Sequence, residues 1–177
     1  MNPSLVGSEM CIRDRGLRPK DTDWVVVGSS PEEMIKKGFK QVGKDFPVFL
    51  HPNTNEEYAL ARKDRKTGVG HKDFQFNFSP NVTLEEDLER RDLTINSMAL
   101  DENGNLIDPF NGAKDIENKC FRPVSQAFFE DPLRALRVAR FKAQFPEFFL
   151  HESMEQALVK ISASNELLNL SSERVWG

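Results

Sequence analysis

Short apolar runs separated by polar turns fill the first two thirds of the chain, and this pattern predicts a small β-sheet. The run 24–27 is β-branched and ends at Gly28, which is typical of a buried strand. Phe74, Phe76 and Phe78 alternate with polar residues, so we expect a strand with one aromatic face. The remaining predicted strands form two hairpins, one from 48–51 and 58–62, the other on either side of 101–104.

Helix starts are marked by capping residues. Ser30 with Glu33, and Thr83 with Glu86, have the spacing of a capping box, so we expect a helix after each. Residues 63–72 between them are basic and contain glycine, and this composition predicts a loop.

The pattern changes at Ser125. From there on, apolar residues recur with a period near 3.6, which predicts helices and no strand. We therefore expect a mixed α+β domain at 1–124, followed by the beginning of a helical domain at 125–177. The segment 171–177 resembles the start of a further helix, and we interpret the chain as part of a longer protein.

Composition narrows the class of protein. The chain has 177 residues, 38% of them hydrophobic and 29% charged, with a net charge of −4. This balance is that of a globular domain and excludes a basic coat over the whole surface. Its 2 cysteines and 3 histidines lack the spacing of a zinc site or a disulfide scaffold. No apolar stretch approaches the roughly 20 residues of a membrane span, so we expect a cytoplasmic protein with no membrane partner.

Asp21 and Asp23 directly precede the predicted strand 24–27. In an extended chain, alternate side chains point the same way, with Cα atoms roughly 6.5–7 Å apart. Two carboxylates so placed can share a hard divalent cation, as two-metal phosphoryl transfer requires. Glu57 would add a third carboxylate if the segment 58–62 pairs beside this strand. The alternative is that all three are ordinary solvated acids.

Arg90 and Arg91 are followed by Asp92 and, four residues later, Asn96. Arginine is suited to bidentate phosphate binding, and carboxylate and amide groups suit a ribose hydroxyl. The alternative is a solvated basic patch at a helix end.

A second group of polar residues lies on one predicted helix, which follows Asp131. Asp131 can cap it, with Pro132 in the first turn. Arg134, Arg137 and Arg140 recur every three residues and wind slowly along one broad side. Asp131 and Arg134, one turn apart, can together read the donors and acceptors of a base edge. The alternative is an amphipathic helix with a solvated basic face.

In this order and spacing, these signals resemble one family: the bacterial-type tRNA nucleotidyltransferases (class II CCA-adding enzymes) of the polymerase-β-like nucleotidyltransferase superfamily. The resemblance runs from about residue 16 to the C-terminus. It implies an α+β nucleotidyltransferase head with a small mixed sheet and flanking helices, then an all-helical neck. The matching segments are 21–28, 45–50, 56–62, 90–96, 107–112 and 130–141.

The resemblance also implies roles for single residues. Asp21 and Asp23 would hold catalytic Mg²⁺, beside Glu57 as the third candidate carboxylate. Specificity for CTP and ATP would come from protein hydrogen bonds and not from a nucleic-acid template. The implied nucleotide-binding residues are Arg91 for the nucleotide, Asp92 and Asn96 for its ribose, Asp131 and Arg134 for its base, and Arg137 and Arg140 in the same pocket.

The N-terminus departs from the family pattern. The family begins with a strand and a Gly-Gly turn whose backbone grips the triphosphate. Here that turn is Gly7-Ser8, so the resemblance implies Gly7 and Ser8 as further nucleotide-binding residues, but Glu9 would place a negative charge near the phosphates. Residues 1–15 therefore have two interpretations, a genuine strand and loop at 4–7 or a segment foreign to the protein, and the departure favours the second.

Three functions remain open from the sequence. The favoured one is addition of CMP, CMP and AMP, from CTP and ATP, to the 3′ end of tRNA. A poly(A) polymerase or an A-adding enzyme would share the carboxylates and the Arg-Arg-Asp motif. A catalytically inert nucleotide- or RNA-binding fragment would account for the altered Gly-Gly turn.

Overall fold

Eleven strands and five α-helices are assigned in a computed structural model of the chain, which describes residues 2–6, 23–43, 48–66, 74–164 and 166–170. The strands are β1 Asn2–Val6, β2 Asp23–Val27, β3 Lys40–Val42, β4 Val48–Leu50, β5 Glu57–Leu60, β6 Lys63–Lys66, β7 Phe74–Asn77, β8 Ala99–Leu100, β9 Leu106–Ile107, β10 Cys120–Phe121 and β11 Phe149–Leu150. The α-helices are α1 Pro31–Lys36, α2 Leu84–Glu89, α3 Gly112–Glu117, α4 Leu133–Gln144 and α5 Glu152–Ala163. Three short 3₁₀ turns are η1 Thr94–Asn96, η2 Gln126–Glu130 and η3 Glu166–Asn169.

Seven strands form one mixed sheet in the order β3-β4-β5-β2-β1-β8-β9. Only β2 and β5 run parallel, and the other neighbours in this sheet are antiparallel. The mixed α+β class expected from the sequence is confirmed. The predicted hairpins are also present, as β4–β5 and as β8–β9. Gly104 supplies the left-handed backbone that the second turn needs, with φ of 81°.

One of the two predicted capping boxes is present, and the other is only half formed. Thr83 and Glu86 form a reciprocal capping box at the start of α2. Ser30 caps α1 by accepting from the backbone N–H of Glu33. The carboxylate of Glu33 accepts instead from the hydroxyl of Ser29, at 3.0 Å.

Three expectations from the sequence need correction. Residues 63–72 were expected to be a loop, but 63–66 form β6, which pairs with β7 because the alternating phenylalanine strand needs a backbone partner. Residues 67–72 lie outside the described residues. The segment after residue 125 contains the strand β11, which pairs in parallel with β10. Two residues are too few to show a period, so sequence pattern alone misses such a strand. Helix α4 begins at Leu133, with Pro132 as the residue before it and not in its first turn.

The N-terminal strand is central to the sheet. β1 lies between β2 and β8 and pairs antiparallel with both. Of the two interpretations of the N-terminus, the described part therefore shows a strand at 2–6. Gly7 and Ser8 lie outside the described residues, and the foreign origin of 1–15 stays a prediction.

Each face of the sheet covers its own apolar cluster. Val25 and Val26 are both buried but point to opposite faces, as alternation in a strand requires. Val25 packs with Leu88 of α2, whereas Val26 packs with Met34 of α1. Helix α2 therefore lies on the face to which Asp23, two residues before Val25, also points.

A third core joins the sheet domain to the helices that follow. Leu93 and Phe121 pack there with Phe128, Val138 of α4 and Met154 of α5. This shared core crosses the domain boundary that we place near residue 124, and it fixes α4 against the segment that carries Arg91 and Asp92. No described helix is long and apolar enough to cross a membrane.

Candidate nucleotide-binding site

Two carboxylates meet at one end of the parallel strand pair. Asp23, the first residue of β2, is in register with Glu57, the first residue of β5. The next pair in register, Trp24 and Tyr58, stacks at 5.6 Å with only 10° between the rings. Because side chains alternate along a strand, Asp23 and Glu57 share the opposite face. Both are exposed, and Asp21 lies outside the described residues.

A cavity of about 430 Å³ opens beside Asp23, between the sheet and α4. It gathers most of the residues that the sequence singled out, although they are spread over more than a hundred positions of the chain. Its lining residues are Asp23, Arg62, Arg90, Arg91, Asp92, Asn96, Asp131, Leu133, Arg134 and Arg137. Five arginines against three aspartates give this cavity the side-chain chemistry that suits a polyanion.

Not every expected residue lines this cavity. Glu57 is next to Asp23 in the sheet but is not among the lining residues. Arg140 is exposed one turn beyond Arg137 and does not line it either. Both assignments stay predictions.

Asp92 holds Arg137 over the cavity. Its Oδ2 accepts from Arg137 Nε at 2.8 Å, and its Oδ1 accepts from Asn96 Nδ2 at 3.1 Å and from the N–H of Leu93 at 2.9 Å. Burial alone would raise the pKa of Asp92, but the Arg137 guanidinium and these hydrogen bonds hold that pKa below its ordinary value. Asp92 is therefore an anion that orients two other lining side chains.

Asp87 of α2 orients the neighbouring arginines, Arg90 and Arg91, in the same way. Its carboxylate is fully buried beneath the cavity. Oδ1 accepts from Arg90 Nη2 at 2.8 Å and Oδ2 from Arg91 Nη2 at 3.3 Å. Burial opposes the charged form, yet both arginines keep the pKa of Asp87 below its ordinary value.

Arg134 ties α4 to the end of α2 through backbone carbonyls. Its Nη2 donates to the carbonyl of Arg90 at 2.6 Å, and its Nη1 to that of Ala127 at 2.5 Å and to that of Arg91 at 3.4 Å. Burial lowers the pKa of this guanidinium. Asp131 was expected to cap this helix, but the N-cap is Pro132; Asp131 lies just before it and accepts from the N–H of Leu133 at 3.0 Å. The two residues expected to read a base thus lie together at the N-terminus of α4.

Among the buried polar atoms of the lining residues, some have no hydrogen-bond partner in the described part of the chain, and two of these bear on ligand binding. They are Oδ1 of Asn96 and Nε of Arg91. Buried polar groups in native proteins are nearly always paired, so such atoms at a cavity point to a ligand. The Asn96 oxygen is an acceptor, as a ribose hydroxyl requires.

The sequence missed Asp87, Arg62 and Leu133 as parts of the site, whereas it singles out Arg90 with Arg91 as a candidate phosphate-binding pair. For Asp87 a signal was available, because it lies three and four residues before Arg90 and Arg91, the spacing at which helical side chains meet. Arg62 and Leu133 carry no local signal. Within the described ranges, no three His, Cys, Asp or Glu side chains cluster as a metal site.

Fold and cavity together define the head of a nucleotidyltransferase, and comparison with known proteins gives its family. A sequence model described as the Poly A polymerase head domain matches residues 5–122, and the chain belongs to this family. The resemblance found in the sequence is thereby confirmed.

Relatives with functional names cover nearly all of this chain. A "Multifunctional CCA protein" from Pseudoalteromonas atlantica is 57% identical over 180 residues, which are 99% of this chain and 44% of that protein. A structure of a CCA-adding enzyme with ATP is 29% identical with a TM-score of 0.75, over 98% of this chain and 40% of the other. A Thermotoga maritima CCA-adding enzyme complexed with tRNA is 26% identical with a TM-score of 0.72, over 98% and 41%. The chain thus spans less than half the length of these relatives.

Proposed function

We propose that this chain is the catalytic part of an enzyme that adds CMP, CMP and AMP, from CTP and ATP, to the 3′ end of tRNA. The cavity supports this best, since Asp23 at the strand end, a cluster of arginines and the pair Asp131 and Arg134 all line it. The names of the relatives support the same reaction.

In this proposal the arginines bind the triphosphate. Arg90 and Arg91, oriented by Asp87, neutralise its oxygens. The Oδ1 of Asn96 accepts from a ribose hydroxyl. These contacts hold the α-phosphate where the terminal hydroxyl of the tRNA attacks it and pyrophosphate leaves.

In this proposal, Asp131 and Arg134 select the base of the incoming nucleotide. A carboxylate and a guanidinium one helical turn apart offer acceptors and donors to one base edge. Three backbone carbonyls fix the Arg134 side chain. A fixed guanidinium cannot adapt to a wrong base, and that rigidity is a source of selectivity.

Asp23 and Glu57, with Asp21 as the resemblance implies, would hold Mg²⁺. Their carboxylate oxygens are the donors that this cation prefers, and the strand register brings Asp23 and Glu57 side by side. When bound, Mg²⁺ supplies neutralisation of the triphosphate and a lowered pKa for the attacking hydroxyl.

The description of the matched family favours one second candidate, a poly(A) polymerase or an A-adding enzyme. Both reactions use the same carboxylates and arginines, so the products distinguish them.

The test is labelling of a tRNA that lacks its 3′ CCA, with CTP and ATP supplied separately and together. It uses this chain and a longer version with a Gly-Gly turn at 7–8 and a C-terminal region of the length found in the relatives. Addition of two C residues and then A supports the proposal. Addition of A alone, or of many A residues, supports the second candidate. No transfer by either version would contradict both and leave a nucleotide- or RNA-binding fragment.

A further inference from the structure

Two arginines that line the cavity, Arg90 and Arg91, are both bonded to Asp87, a residue that does not line it. Asp87 is fully buried in α2, whereas Arg90 and Arg91 at the end of that helix face the cavity. Both guanidinium groups donate to the Asp87 carboxylate, Arg90 through Nε at 3.0 Å and Nη2 at 2.8 Å, and Arg91 through Nη2 at 3.3 Å.

The same carboxylate also bonds to the backbone just after β5, which ends at Leu60. Its Oδ1 accepts from the backbone N–H of Arg62 at 3.1 Å. Arg62 lines the cavity as well, and β5 is the strand paired with β2, which begins at Asp23. One buried anion therefore joins the arginine-bearing helix to the strand pair that carries the acidic residues.

We propose that Asp87 is the positioning residue of a polyphosphate subsite, in which it holds Arg90 and Arg91 in the orientation that receives the phosphate tail of a nucleoside triphosphate. This inference rests on the proposed function and names the anchor of its phosphate site. Asp87 touches no substrate and acts only through the arginines.

A purely structural role makes a different prediction from a positioning role. Asp87→Asn keeps the size of the side chain but removes one negative charge beneath the cavity. By electrostatics alone, that loss would strengthen the binding of an anion. If Asp87 positions the arginines, polyphosphate binding weakens instead, because an asparagine amide donor faces guanidinium donors.

Asp115→Asn is the matched control. Asp115 is also buried and also pairs with an arginine, accepting from Arg122 Nε at 2.9 Å and from Thr94 Oγ1 at 2.7 Å. Arg122 does not line the cavity. Both variants lose one buried acid from an ion pair, so only an effect specific to the phosphate site separates them.

The experiment measures binding of inorganic tripolyphosphate and of ATP by calorimetry, on this chain and both variants, at a temperature where circular dichroism shows all three folded. We expect Asp87→Asn to raise the dissociation constant for tripolyphosphate by about tenfold or more, and Asp115→Asn to leave it within about twofold. In transfer assays of the longer version, KM for the nucleotide should rise while KM for tRNA stays unchanged. Equal affinities for the two variants, or tighter binding by Asp87→Asn, would overturn the inference.

Asp87→Glu covers the case in which Asp87→Asn does not fold. It keeps the charge but moves the carboxylate by one methylene, so it too should weaken tripolyphosphate binding, and unchanged binding would overturn the inference. The proposed function fails separately. If the wild-type chain binds tripolyphosphate and Asp87→Asn weakens this, yet no version extends tRNA, the subsite stands and the CCA proposal falls. If wild type binds no tripolyphosphate, the inference falls whatever the transfer assay shows.

Discussion

Asp92 and Arg137 lie 45 residues apart in the chain, yet Arg137 Nε donates to Asp92 Oδ2 at 2.8 Å. This ion pair connects the segment after α2 to the middle of α4. Asp92 is buried, whereas nearly half of the Arg137 side chain is exposed to the cavity and solvent. The pair therefore fixes one wall of the cavity relative to the other.

Replacing Asp92 with asparagine should destabilise the chain and weaken nucleotide binding together. Asn96 and Arg137 both lose a charged acceptor, and the expected cost is about 1–3 kcal/mol in the free energy of unfolding. The cost is limited because the exposed part of Arg137 can be hydrated. Urea denaturation measures the first effect and ATP titration the second. Arg137→Ala should weaken ATP binding and also destabilise the fold, because it leaves the buried Asp92 carboxylate without its guanidinium partner. Unchanged stability in Arg137→Ala would contradict this account.

Acid should unfold the wild-type chain in part through Asp87 and Asp92. Both have a pKa below the ordinary aspartate value in the folded state. A group of this kind stabilises the fold fully above its unfolded pKa, near 3.9, and loses that contribution as the pH falls through the folded value. The free energy of unfolding should therefore drop below about pH 4.

Urea midpoints measured between pH 6 and pH 3 check this dependence. Asp92→Asn removes one of the two groups, so its stability should fall less steeply than that of wild type over the same range. Glu117→Gln, at an exposed position, is the control and should follow the wild-type curve. A steeper acid loss for Asp92→Asn would show that other carboxylates dominate.

Local features could be read from the sequence, but partners across the fold could not. Thr83 and Glu86 contact each other because they are three residues apart at the start of one helix. Their spacing in the sequence therefore predicts the capping box. Whether Glu57 lies beside Asp23 depends on the strand order, which leaves that pairing conditional until the parallel register is known. The strand β6 was missed because its residues are charged and gain a partner only from β7.

The candidate site shows the same limit. The residue types of the Arg-Arg-Asp segment and of α4 indicated nucleotide chemistry, and most of them do line one cavity. That Arg134 donates to the carbonyls of Arg90 and Ala127 is a property of the tertiary fold, with no side-chain pattern to reveal it. Arg140 fits the repeat of every third residue but is not among the lining residues, because that spacing drifts around a helix of 3.6 residues per turn.

Gly112 is needed for the close packing of α3 against η1. A Cβ at this position would lie 2.3 Å from the carbonyl oxygen of Thr94 and 2.9 Å from the Met98 side chain. Moving backbone atoms costs considerable free energy. Gly112→Ala should therefore push η1, which carries Asn96, away from α3. We expect a loss of about 1–3 kcal/mol in urea denaturation, with weaker ATP binding.

Gly104→Ala is the matched control for that substitution. Gly104 has a positive φ, but a Cβ there would meet nothing within 4 Å. Its replacement should cost only the backbone strain of about 1–2 kcal/mol and leave ATP binding unchanged. If Gly112→Ala also kept its ATP affinity, the link between this packing and the site would be wrong.

Arg134→Ala should blur the choice among nucleotides before it abolishes binding. The guanidinium is expected to read the base, and its loss also frees the carbonyls of Arg90 and Ala127. In transfer assays of the longer version, the ratio of kcat/KM for CTP over UTP should fall by about tenfold or more, since each good bidentate contact discriminates by about 1–3 kcal/mol. Gln144→Ala, exposed at the end of the same helix, should keep the wild-type ratio. Unchanged discrimination against UTP in Arg134→Ala would exclude this residue as a base reader.

Asp23→Asn should remove transfer while leaving the fold intact. Asp23 is exposed at a strand end, so its charge contributes little to stability, and the urea midpoint should stay at the wild-type value. As a proposed Mg²⁺ ligand, however, it should be worth roughly a hundredfold or more in kcat, since even outer-shell partners of a metal are worth about 10–100-fold.

Glu57→Gln tests the neighbouring carboxylate and should raise the Mg²⁺ concentration needed for half-maximal transfer. Glu56→Gln is the control. Glu56 precedes Glu57 in the chain, and its carboxylate accepts from the Thr54 hydroxyl at 2.8 Å. Its replacement should change neither kcat nor the required Mg²⁺ concentration. Near-normal turnover in Asp23→Asn would show that the metal assignment is wrong, even if the arginines of the cavity still bind the nucleotide.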